Sequence, residues 1–133
     1  MNVEGLITLR SSFGHGETLA RFEAAVRANG LRIVAGVDHA IAAFEAGVSL
    51  DATTVLLVGD GRRQAALVKA LRLIALELPF GVLVWQDAGG TWLSYVDFRW
   101  LAQRYGAGPQ EMSLVTDMAV MIDGIARKAG LPP

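Results

Sequence analysis

Residues 80–96 read FGVLVWQDAGGTWLSYV, two apolar runs on either side of a short break of Asp, Ala and Gly. Phe80 to Gln86 and Thr91 to Val96 are rich in valine, leucine and aromatic side chains, a composition that suits strands. Asp87-Ala88-Gly89-Gly90 between them supplies the freedom of a chain reversal, so the stretch predicts an antiparallel hairpin. The first of the two strands is apolar on both faces, which predicts an interior position in a sheet.

Three further strands lie upstream. Thr53 to Val58 is a β-branched apolar run, centred on 54–58. Leu31 to Asp38 alternates, with Leu31, Ile33, Ala35 and Val37 predicted on one face. Residues 4–10 (EGLITLR) complete the set of about five. Helical spacing marks 17–29, 40–46 and 62–76, and Asp97 precedes a short helix that runs to Tyr105. A last amphipathic helix carries Leu114, Val115, Met118, Ile122 and Ile125 on one stripe. The expected class is therefore α+β, a mainly antiparallel sheet of about five strands with helices packed on one face.

At 133 residues the chain predicts a single domain spanning 1–133. Its 53% hydrophobic content is high for a small monomer, and the surplus predicts a homodimer or larger assembly. Without cysteine, thiolate metal sites and thiol nucleophiles are excluded, and a cytoplasmic setting is expected. The opening residues lack the pattern of a signal peptide, and no apolar run reaches the ~18 residues of a membrane span, so no membrane partner is expected. Twelve basic residues against thirteen acidic give a net charge of −1, which argues against a nucleic-acid partner. With only His15 and His39 as histidines, far apart, no metal site is expected.

Val37-Asp38-His39-Ala40, followed by Ala43 and Gly47-Val48, is similar to the I-D-H-A…A…G-L stretch of family 302 of the domains of unknown function. Glu17-Thr18, Gly30-Leu31, Thr54 to Gly59, Leu78-Pro79, Val84 to Asp87 and Trp92 to Tyr95 agree with that family in order, over roughly residues 5–105. One turn departs from it: Gly59-Asp60-Gly61-Arg62 stands where the family usually reads Gly-Asn-Pro. The resemblance implies a curved antiparallel sheet like that of TATA-binding protein, backed by helices and usually dimeric. It implies no established activity or cofactor, and kinship of fold to a DNA-binding protein does not imply DNA binding.

His39 leads the candidate site residues. If the strand runs one residue past Asp38, the imidazole continues the apolar row of Leu31, Ile33, Ala35 and Val37, where it could meet a ligand or move a proton. Asp38 has a plainer role as the cap of the helix from Ala40. Gly59, Asp60, Gly61 and Arg62 lie between a strand and a helix, the position of an anion cradle, although Asp60 brings a carboxylate to the same place. Arg62, Lys69 and Arg72 predict a basic, solvated stripe on one side of their helix. Trp85 and Tyr95, near Trp92 and Trp100, could line an aromatic pocket. His15, between two glycines, is expected in solvent. The leading expectation is a small-ligand-binding module for an apolar or aromatic molecule, with His39, Asp38, Asp60, Trp85 and Tyr95 at the site. The alternatives are a small enzyme using His39 as general acid or base, and a purely structural or protein-interaction domain.

Overall fold

In the computed structural model, which describes residues 2–133, the hairpin forms as β4 (Phe80–Asp87) and β5 (Gly90–Val96). Trp85 lies opposite Trp92, and Leu83 opposite Ser94. Three strands precede them: β1 (Leu6–Ser11), β2 (Arg32–Asp38) and β3 (Thr53–Gly59). All pair antiparallel in the order β1-β5-β4-β3-β2, so β4 is interior, as its two apolar faces predict, and stands at the centre. The class is α+β. β1 and β2 form the two edges.

Alternation along each strand sorts the side chains. Leu56, Val58, Val82, Val84 and Leu93 point to one face and are buried. Against them pack α1 (His15–Ala28), α4 (Phe98–Arg104) and α5 (Pro109–Gly130), which contribute Phe22, Val26, Leu101, Val115 and Ile125 to the same core. Each fully buried side chain of this kind stabilises by roughly 1.5–3 kcal/mol. Arg21 ties the α1–α5 pair, donating to the carbonyls of Lys128, Ala129 and Leu131 where α5 ends. Orphan carbonyls at a helix C-terminus favour such a cation.

Three expectations need correction. β2 carries a bulge between Ile33 and Ala35, so Ile33 pairs with Val58 toward the core while Ala35 and Val37 pair with Leu57 and Val55 toward the other face. One extra residue in a strand flips everything beyond it. The helix expected over 62–76 is α3 (Gly61–Ala70) followed by a 3₁₀ turn over Arg72–Glu77, so Arg72 leaves the helix that carries Arg62 and Lys69. His15 opens α1 half-buried, its Nε2 3.3 Å from the Thr54 hydroxyl, and is not simply solvated.

The remaining helix, α2 (His39–Glu45), follows β2 directly and buries none of its residues. Asp38 caps it as expected, its carboxylate accepting from the Ile41 amide at 2.9 Å.

Candidate functional site

The sheet face opposite the main helices holds a groove of about 540 Å³. Most of its lining comes from four strands, among them Leu6 and Thr8 on β1, Trp92, Ser94 and Val96 on β5, Gly81, Leu83 and Trp85 on β4, and Val55 on β3, with Val3 ahead of β1. These positions share a face because their partners stand directly opposite in register, Thr8 with Ser94, Ser94 with Leu83, and Leu83 with Val55. Gly81, without a side chain, leaves the floor low at its centre. A concave, mostly apolar surface with a few fixed polar groups is the usual form of a small-molecule site.

The polar groups are few and already oriented. Trp85 and Trp92 stack across the hairpin, ring centroids 6.0 Å apart. The Trp85 indole donates to the Ser94 hydroxyl at 2.9 Å, and Ser94 shares a second 2.9 Å bond with the Thr8 hydroxyl. The Trp92 indole donates to Asp87 at 2.9 Å, and that carboxylate also accepts from the amides of Gly89 and Gly90. The bond from Trp92, opposed by desolvation and joined by the two amides and the nearby Arg10, holds the Asp87 carboxyl below its ordinary range. Arg10 lies over the Trp92 ring at 5.5 Å and donates to the Gly89 carbonyl. The tryptophans therefore present fixed ring faces, which suits binding. Neither histidine lines the groove, so Ser94 has no imidazole beside it there.

The residues singled out from sequence are dispersed. β2 ends at Asp38, and His39 is the exposed first residue of α2, so it does not extend the strand's apolar row. Asp38 is engaged as the helix cap. It lies with His15, Ile41 and Phe44 around a separate cleft of about 390 Å³. Asp60 precedes α3 and binds Arg63 at 2.9 Å, so a carboxylate occupies the neighbourhood where an anion would sit. Gly59 is buried and Arg62 is exposed.

Trp85 and Tyr95 both border the groove, but the Tyr95 side chain turns away from it. The Tyr95 ring is on the helix side, 4% exposed, edge-on to Phe80, with its hydroxyl donating to Asp123 on α5 at 2.7 Å. Burial, and then the Asp123 carboxylate, push its phenol well above the ordinary range. The ring that stacks with Trp85 at the groove is therefore Trp92, while Tyr95 touches the groove without presenting its ring to it. Ser94, Thr8 and Leu83 are groove residues that sequence reasoning missed. The alternation of β5 carries the signal that separates Trp92 and Ser94 from Tyr95.

Comparison with known proteins adds the following. The sequence model of the family described as "Domain of unknown function DUF302" matches residues 7–129. The fold is similar to the crystal structure of an uncharacterized conserved DUF302 protein from Bacillus stearothermophilus, with a TM-score of 0.87 at 18% identity, over 96% of this chain and 99% of that one. The chain is also 35% identical over 117 residues to proteins named fluoride-specific ion channel FluC 1 in Brucella suis and Brucella abortus. The match covers 87% of this chain but 44% and 42% of those relatives, less than half their length. Among the described residues no helix is long and apolar enough to cross a membrane.

Proposed function

We propose that this chain, which belongs to the family described as Domain of unknown function DUF302, is a homodimeric binding module that holds a small apolar or aromatic ligand on the open face of its sheet. The observation that carries this reading is the groove of about 540 Å³ floored by Leu83, Val55 and Gly81 and walled by Trp85 and Trp92. That volume falls in the range of sites for small organic molecules. The tryptophan pair and Ser94 are the ligand's neighbours in this reading, in place of His39. The apolar composition and the exposed apolar side chains on β2 and α2 support the homodimer. The strand order and the long last helix support an architecture like that of TATA-binding protein, which by itself brings no nucleic acid. Fluoride conduction is what the longer relatives are named for and is no part of this reading.

The test is titration with the apolar fluorophore N-phenylnaphthylamine, comparing the unaltered protein with Gly81→Ile. A Cβ at Gly81 meets Val55 and Leu57 at 3.4 and 3.5 Å, ordinary contact distances, so the strand tolerates a side chain there while the groove fills. The expected result is saturable fluorescence enhancement that Gly81→Ile weakens by about tenfold or more. Equal binding by both proteins, or none by either, removes the groove as the site.

A further inference from the structure

β2, α2 and the turn after it bear an apolar surface that none of the other described residues covers. Val34, Val37, Ile41, Phe44 and Val48 are each between 45% and 81% exposed, Phe44 most of all. This patch is separate from the groove: none of the five lines it. The whole chain exposes 7762 Å², whereas a folded monomer of its 14.2 kDa exposes about 6,800 Å². The surplus, on the order of 1,000 Å², is about what each partner loses in a stable interface.

Among the described residues no strand lies beside the outer edge of β2. Its central residues, Val34-Ala35-Gly36-Val37, carry no charge, although exposed edges are ordinarily protected by one. Charge stands only at the ends, Arg32 at the start and Asp38 at the finish. Antiparallel pairing of this edge with itself about a two-fold axis, centred on Ala35, sets Arg32 beside Asp38 of the partner subunit, twice. A two-fold contact must be self-complementary in this way. We propose that two copies associate through β2 and α2, the β2 edges pairing antiparallel and Ile41, Phe44 and Val48 covering one another. The occupant of the patch is thus a second copy of this chain. The proposal rests on the homodimer part of the functional reading and is independent of the ligand groove.

The experiment is size-exclusion chromatography with light scattering over a dilution series, on the unaltered protein, Phe44→Glu and Leu76→Glu. Leu76, 78% exposed on the 3₁₀ turn, is the control for adding charge at an exposed apolar site elsewhere. Neither side chain is packed within the subunit, so both variants keep the parent's fold, checked by circular dichroism. The expected outcome is a dimer that Phe44→Glu weakens by about 100-fold and Leu76→Glu leaves intact. A dimer that survives Phe44→Glu overturns this surface while leaving a homodimer standing. A monomer at every concentration overturns the homodimer reading as well, and N-phenylnaphthylamine binding tests the groove separately.

Discussion

Asp87 concentrates the logic of the hairpin in one carboxylate. It accepts from the Trp92 indole and from the amides of Gly89 and Gly90, so the charged form is favoured in the fold and its folded pKa is lowered. A carboxyl with a lowered folded pKa contributes stability that is present above its unfolded pKa, near 3.8, and lost as pH falls through the folded value. Asp87→Asn is therefore expected to lower the melting temperature at neutral pH, with the difference from the parent shrinking below pH ~3.8. Melting curves of the two proteins between neutral and strongly acid pH check this; a constant difference would contradict it. Gly5 makes a steric case. Its φ of +76° lies in the left-handed region, and an added Cβ would collide with the Trp100 ring. Gly5→Ala should cost about 2–3 kcal/mol by denaturant unfolding. The turn Asp87-Ala88-Gly89-Gly90 and the cap at Asp38 were legible in sequence because each is a local hydrogen-bonding device. The position of His15 was not, since its partner Thr54 lies 39 residues away.

At the scale of elements, the hairpin and the interior place of β4 were legible from apolar pattern alone. The bulge in β2 was not, because one extra residue leaves the composition unchanged and only the pairing with β3 reveals it. That bulge, with the end of the strand at Asp38, is why His39 left the apolar row assigned to it. The groove needed a pairing no local signal reports: β1 with β5, which brings Thr8 beside Ser94. Both α3 and the 3₁₀ turn bury one side chain, Leu67 and Ile74, and expose others. Leu67 is the buried residue of α3, completely enclosed, whereas Leu76 on the turn is exposed. Leu67→Ala should cost about 2–5 kcal/mol. Leu76→Ala should stay within about 0.5 kcal/mol. Urea unfolding of the pair measures both, and comparable losses would contradict the contrast between a core side chain and an exposed one.

For the whole molecule, the sheet divides two kinds of apolar surface. One face is the core that folding requires. The other face and the β2–α2 edge remain available for a ligand and for a second copy. A ligand bound only by the folded state raises its stability by mass action, so N-phenylnaphthylamine at a hundred times its dissociation constant should add about 2.7 kcal/mol. The most direct measurement is a ¹H–¹⁵N spectrum recorded during titration with that probe, read at the indole signals of Trp85 and Trp92 and at the backbone amides of α3. A probe seated on the open sheet face shifts both indole signals together with the amides around Leu83 and Ser94, and leaves α3 unchanged. Indole signals that stay fixed while the probe binds, or shifts confined to α3, would contradict a ligand site on that face.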